Sequence, residues 1–234
     1  MSYEASAHAA QMKILRHLLL SPSAGFAELQ KQTELTSDHA NFHIKKLLEV
    51  GYIEKNADDK YTLTRTGKEY SNRMDTDDNV IEKQPKISVA LIIENDKGEF
   101  LAQQRLKQPY YGFWGRPTGK IRWGETMLEA AERELMEETG LTADLSVAGF
   151  YHKMDYEKET GDLLEDKIFV LIYGTNPKGQ LIVDDEGHHN EWLTDNELHE
   201  RGKYFQSVPE ITAIAKKNSA NFMEHKYQYG KDEY

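Results

Sequence analysis

GKIRWGETMLEAAERELMEETGL, residues 119–141, is a glycine turn running into a helix that carries carboxylates on one side. Glu134, Glu137 and Glu138 stand at i, i+3 and i+4, so a helix stacks them on one face. Like charges that close repel, and something positive must offset them. A hard divalent cation with oxygen ligands is the natural candidate. Met127, Leu128, Ala130, Ala131, Leu135 and Leu141 supply an apolar face that is expected to pack inward. An ordinary amphipathic helix with a solvated acidic face explains the carboxylates. It does not explain the single arginine within the helix, Arg133, or the flanking glycines.

At this point the segment resembles the signature of Nudix hydrolases, which cleave nucleoside diphosphates linked to another group. The fixed positions of that signature are filled, at its spacing, by Gly119, Glu125, Arg133, Glu134, Leu135, Glu137, Glu138, Gly140 and Leu141. The resemblance implies a set of roles. Metal ligands would be the Gly119 carbonyl with Glu134, Glu137 and Glu138, and the metal would be Mg²⁺ or Mn²⁺. Arg133 would orient a glutamate. Glu125 would bind metal through water or cap the helix start. Thr118 departs from the family, which often has a second glycine there, but it leaves the Gly119 carbonyl available. The general base stays open among a box glutamate and the loop acids Glu159, Glu165 and Glu186. The family's ADP-ribose pyrophosphatases often carry a downstream proline that this chain lacks. Its isopentenyl diphosphate isomerases use an essential cysteine, and this chain has no cysteine.

Outside the box, Arg105 and Arg116 are candidates for substrate phosphates, and Tyr111 for stacking on a base, beside Tyr110 and Phe113. Trp114 is expected to pack under the box, and His188 and His189 to lie in a surface loop.

The chain's 234 residues suit one large domain or two modest ones. No apolar run approaches the ~20 residues of a membrane helix. The start lacks the layout of a secretory leader, and with no cysteine the pattern points to the cytoplasm. A net charge of −11 argues against broad nucleic-acid binding by the whole surface, though not against a local DNA-reading face.

The first seventy or so residues have another grammar. Met12, Leu15, Leu18 and Leu19 form a helical stripe, and residues 21–25 break it. Residues 26–33 read as a short helix. Residues 37–50 read as the next, with Thr36 or Ser37 as N-cap, Ala40, Ile44 and Leu47 inward, and Gly51 as stop. Residues 52–63 read as a hairpin, and Thr64 caps a last helix through Arg73. That order resembles the winged helix-turn-helix of transcriptional regulators. The resemblance implies that the helix over 37–50 enters the major groove, with Asn41, His43, Lys45 and Lys46 as candidate DNA contacts. Residues 1–74 hold ten Lys and Arg against nine Asp and Glu, a net +1, and the hairpin tip is acidic. Such modules also dimerise chains or dock proteins.

Residues 75–85 read as an acidic linker. Beyond it, residues 87–93 and 99–105 read as strands about a turn, and residues 113–117 lead into the box. Strands follow over 145–152 and 167–173, with short ones at 181–182 and 191–192. A helix over 196–201 and a final helix over 208–222 come next, and the tail KYQYGKDEY is expected to be mobile. The fold class is α/β: a Nudix α/β/α sandwich with a mixed sheet over 86–234, preceded by a small α+β winged helix-turn-helix over 1–74.

Three functions remain open. The leading one is metal-dependent hydrolysis of a nucleotide-type substrate, with DNA binding as a further activity. The second is a nucleotide-sensing transcriptional regulator. Known regulators of NAD metabolism join the same two domains, typically in the opposite order and with an eroded box, whereas this box is whole. The third is an enzyme whose winged helix serves dimerisation or partner docking. Expected partners are a nucleotide, double-stranded DNA and a second copy of the chain in a homodimer, with no membrane.

Overall fold

The computed structural model describes residues 8–75, 80–81, 83–217, 221–231 and 233. The chain forms two compact units, Met1–Lys83 and Gln84–Tyr234.

In the first unit, α1 (Ala9–Leu20), α2 (Phe26–Thr33) and α3 (Ser37–Glu49) precede a hairpin of β1 (Ile53–Lys55) and β2 (Tyr61–Leu63), then α4 (Arg65–Ser71). Thr36 is the N-cap of α3, and Gly51 turns the chain after it at φ 73°. Thr64 Oγ1 accepts from the Gly67 N–H and so caps α4. Ile14, Leu15 and Leu18 of α1 meet Ile44 and Leu47 of α3 in one core with Ile53, Leu63 and Tyr70. The expected linker falls partly on residues outside those described. To either side, β3 (Met74–Asp75) pairs antiparallel with β4 (Val80–Ile81).

Among its described residues, the second unit is built on two sheets. Its strands are β5 (Lys86–Ile93), β6 (Phe100–Arg105), β7 (Trp114–Gly115), β8 (Thr118–Lys120), β9 (Leu141–Glu157), β10 (Leu163–Gly179), β11 (Asp184–Asp185), β12 (His188–Leu193) and β13 (Asn221–Tyr229). Its helices are α5 (Met127–Thr139), α6 (Asp195–Glu200) and α7 (Val208–Lys216). The larger sheet runs β13-β9-β10-β5-β8 and is mixed: β13 is parallel to β9 and β10 is parallel to β5, while the other pairs are antiparallel. The smaller sheet runs β11-β12-β6-β7.

Both faces of β5 are buried, which is why it reads as a continuous apolar run. Val89, Leu91 and Ile93 meet Ala130, Ala131 and Leu135 of α5, while Ala90 and Ile92 meet Ile211, Ile214 and Ala215 of α7. The sheet thus carries a helix on each face, as expected. Met127 and Leu128 do not join that core; they are exposed in the first turn of α5.

The carboxyl-terminal segment corrects the sequence reading. The last helix stops at Lys216, and residues 221–229, which take in the end of the expected helix and the first four residues of the tail expected to be mobile, form β13, an edge strand of the larger sheet. Tyr227 and Tyr229 are buried there. Strand pairing is non-local, so a short polar-aromatic segment gives little sign of it. The expected strand over 181–182 is absent, and Asp184–Asp185 forms the short ladder instead.

His152 of β9 ties this edge strand in place. Its Nδ1 lies 2.7 Å from Glu224 Oε1 of β13 and its Nε2 2.8 Å from Asp166 Oδ1 of β10. These two carboxylates, Glu224 first, hold its pKa above the ordinary 6.5. The clamp's stabilisation is therefore complete below about pH 6.5 and is lost as pH rises through the elevated folded-state value. His152→Gln is expected to lower Tm by roughly 2–4 °C at pH 6 and to match the parent chain by pH 9. A gap that is constant with pH, measured by thermal melts, would remove the charge from that role.

Candidate active site

Helix α5 begins with a capping box: Thr126 Oγ1 accepts from the Glu129 N–H, and Glu129 returns a bond to the Thr126 N–H. It ends at Gly140, which takes φ 70°. Between these ends the helix presents its acidic face. Glu125 is not the cap. It accepts from Arg133 Nε at 2.6 Å and from the Arg122 N–H at 2.8 Å, and these bonds, Arg133 first, hold its carboxyl down at about 2.

Arg133 is the hub. Its Nη1 also reaches Glu134 at 2.6 Å and Glu137 at 3.1 Å, and its Nη2 reaches the Lys120 carbonyl at 3.0 Å. Arg122 adds a second contact to Glu137 at 3.2 Å. Much of the repulsion that points to a cation is therefore offset by arginines. Glu137 is the most fully matched of the three glutamates, and it is half exposed.

Glu134 and Glu138 turn toward the sheets. A Cβ on Gly119 would come within 1.9 Å of Glu134 Cδ and 2.4 Å of its Oε2. Only glycine leaves room for that carboxylate beside the backbone of β8. Gly119→Ala is expected to displace Glu134, keep Tm within a few degrees, and cut Mn²⁺ affinity by roughly 10-fold or more. Equal affinity in a titration of both proteins would dismiss the cradle. Burial pushes both Glu134 and Glu138 above the usual carboxylate range.

Among the described residues, no three His, Asp or Glu side chains converge as an all-protein metal cage. The donors still suit Mg²⁺ or Mn²⁺. Such ions take one or two carboxylates and complete their shell with water and substrate phosphates. Glu134 against the Gly119 backbone, with Glu138 one turn on, is that kind of set.

Two residues around Glu138, Gln103 and Asn190, escaped the sequence reading, and a third, His188, is placed differently by the structure. Gln103 Nε2 donates to Glu138 Oε2 at 3.1 Å, and the Asn190 side chain bonds the Glu138 carbonyl at 2.9 Å. His188 is 6% exposed on β12, not in a surface loop, with Nε2 3.8 Å from Glu138 Oε1. The available signal was alternation: Leu101, Gln103 and Arg105 share a strand face whose first residue is core.

Other expected contacts are redistributed. Arg116 is a correction. Its side chain is 0% exposed and lies over the Phe100 ring, bonded to Asp195 at 2.7 Å and Thr212 at 3.1 Å. Burial lowers its pKa to about 10, and it joins α6 to α7 instead of meeting phosphates. Trp114 packs with Leu193, Leu198 and Val208, not under the box. Arg105 donates to the carbonyls of Pro109 and Gln108; burial lowers its pKa, and the charges of Glu165 and Glu138 act against that. Tyr111 is exposed. Glu165 is buried. Burial raises its pKa, but Lys167 at 2.9 Å and Lys86 at 3.2 Å bring it below the ordinary value. Glu159 and Glu186 are exposed.

In the first unit, Lys45 is exposed on α3, and Lys46 pairs with Glu49 at 2.6 Å. Asn41 is half-buried. His43 is half-buried as well, and its ring stacks on His8 with centroids 4.6 Å apart.

The family model described as the NUDIX domain matches residues 84–213. Isopentenyl-diphosphate Delta-isomerase of Serratia proteamaculans is 34% identical over 142 residues, 53% of this chain and 76% of that protein. ADP-ribose pyrophosphatase of Methanocaldococcus jannaschii is 29% identical over 143 residues, 59% of this chain and 81% of that protein. RNA pyrophosphohydrolase of Erythrobacter litoralis is 46% identical over 92 residues, 38% of this chain, and the chain spans about half, 52%, of that relative.

Proposed function

The chain belongs to the NUDIX family, and on that premise we propose that its second unit is a divalent-cation-dependent pyrophosphohydrolase. Its substrate is a nucleoside diphosphate linked to another group, cleaved at the phosphoanhydride. The observation that carries this reading is the seating of the Glu134 carboxylate against the Gly119 backbone, with Glu138 on the same face of α5. The names of the Methanocaldococcus and Erythrobacter relatives, both pyrophosphate-cleaving, support it. The isomerase named for Serratia is a poorer guide, since this chain has no cysteine to serve the family's isomerase chemistry.

Glu134 and Glu138, with the Gly119 carbonyl, would hold Mg²⁺ or Mn²⁺. Bound there, such an ion offsets the charge on the anhydride oxygens and makes a water more acidic. The chain's own residues do the rest. Arg133 keeps Glu134 and Glu137 in place, and Glu125 is locked to Arg133 as a positioning residue. Of the candidate bases outside the box, Glu165 is favoured over Glu159 and Glu186. It is buried, kept ionised by two lysines, and close enough to influence Arg105. Tyr111 remains a stacking candidate.

For the first unit we propose a winged helix-turn-helix that contacts double-stranded DNA through α3, with Asn41, Lys45 and Lys46 as the contacts. The support is its order of three helices, a two-stranded hairpin and a closing helix. Cytoplasmic location and a homodimer belong to the same reading. Among the described residues, no helix is long and apolar enough to cross a membrane.

Hydrolysis by the purified chain tests the enzyme, with Mg²⁺ or Mn²⁺ and a panel of ADP-ribose, NADH, nucleotide sugars, dinucleoside polyphosphates and oxidised dNTPs. Silence across the panel, joined to a compound that binds and raises Tm, would favour a nucleotide sensor. A gel shift against the chain's own upstream DNA, run at several salt concentrations, tests the first unit. Absence of any specific shift would leave dimerisation or docking as its role.

A further inference from the structure

Glu138 is the box carboxylate that Arg133 does not bond. It is held from the smaller sheet. Gln103 Nε2 donates both to Glu138 Oε2, at 3.1 Å, and to Asn190 Oδ1, at 3.2 Å. Asn190 is 0% exposed, and its Nδ2 donates to the backbone carbonyls of Glu138 and Ile182, each at 2.9 Å.

The polarity of this chain of bonds is forced. A side-chain amide has a donor end and an acceptor end, and its partners decide which way it points. Two carbonyls can only accept, so they fix the Asn190 NH₂ group. The Asn190 oxygen is then the end that faces Gln103. That oxygen in turn demands the NH₂ of Gln103, so the end of Gln103 that meets Glu138 is a donor. Spacing is set by register, because Gln103 and Asn190 are directly opposed on β6 and β12. The sheet thus presents a donor, at a fixed height, to a helix that packs beside it.

We propose that Gln103, oriented by Asn190, is a positioning residue that holds the Glu138 carboxylate ready for a divalent cation. The inference rests on the reading of Glu138 as a cation ligand. One oxygen, Oε2, is engaged by Gln103. The other, Oε1, is 3.8 Å from His188 Nε2, beyond hydrogen-bond reach. A carboxylate bonded through one oxygen keeps the other oriented, so less side-chain freedom is lost when a cation arrives. Groups that orient metal ligands this way typically contribute 10–100-fold in affinity or activity.

The test is Mn²⁺ binding to the full chain, followed by the fall in the free-ion EPR signal, for the parent protein, Gln103→Met, Gln103→Leu and Glu138→Gln. Gln103→Met keeps the side-chain length and deletes the donor. It is expected to weaken Mn²⁺ binding by roughly 10-fold or more while Tm stays near that of the parent. With a substrate in hand, the loss is expected in kcat, with KM little changed. If Gln103→Met does not fold, Gln103→Leu decides by the same readout. Parent-like affinity in the Gln103 variant, together with weakened binding in Glu138→Gln, would overturn the positioning role and leave the cation site standing. Parent-like affinity in Glu138→Gln as well, or no binding by the parent, would overturn both.

Discussion

Glu138→Gln is expected to lower cation-dependent hydrolysis by roughly a hundredfold or more while leaving the fold intact. The side chain keeps its size and its partners. Gln103 Nε2, now 3.1 Å from a carboxylate oxygen, can donate equally to an amide oxygen. The substitution also removes a charge that burial disfavours, so Tm is expected to hold or rise slightly. What is lost is the anionic oxygen a hard cation needs. Measured on the substrate found in the panel, an unchanged rate would remove Glu138 from the site. A fall in rate that tracks a fall in Tm would point to unfolding instead.

Deleting residues 221–234 is expected to unfold the second unit or leave it with a broad, early melting transition. The reason is what β13 covers. Lys153 is 5% exposed, its Nζ is 2.5 Å from Asp155 Oδ2, and the rings of Tyr227 and Tyr229 stand 5.6 and 5.2 Å from it. Phe205 and Tyr110 close the other sides at 5.0 and 5.6 Å. Without β13 this buried ion pair is open on one flank, and the edge of β9 loses its backbone partners. Tyr227→Ala is the graded version. Its ring is buried, and its hydroxyl lies 2.6 Å from that of Tyr151 and 2.8 Å from Glu210. Truncating it is expected to cost about 3–5 kcal/mol, as for other buried aromatics. Urea unfolding measures it, and a loss under about 1 kcal/mol would show that the strand is dispensable.

What the amino-acid sequence determined by itself was local. The box helix follows from one period of carboxylates opposite Ala130, Ala131 and Leu135, bounded by a cap and Gly140. Strand β5 follows from its unbroken apolar run, and the helices and hairpin of the first unit follow from stripes, caps and glycine stops. Each of these is a property of neighbours within about a turn, which is the range over which periodicity and capping act. The candidate ligands were legible for the same reason, because Glu134, Glu137 and Glu138 share a single helix.

Tertiary structure alone decided the rest. Arg116 looked like a phosphate contact, and it became a buried strut because Asp195 and Thr212 arrive from distant helices. Trp114 went to the α6 side because Leu193 and Leu198 meet it there. Residues 221–229 became a strand by pairing with β9, and the aromatic residues that cover Lys153 lie scattered along the chain. Gln103 and Asn190, 87 positions apart, face each other only once β6 and β12 pair. Helix geometry is set by adjacent residues, whereas strand partners and buried charge partners are set by the closure of long loops. The orientation of Glu138, on which the proposed chemistry depends, belongs to that second kind.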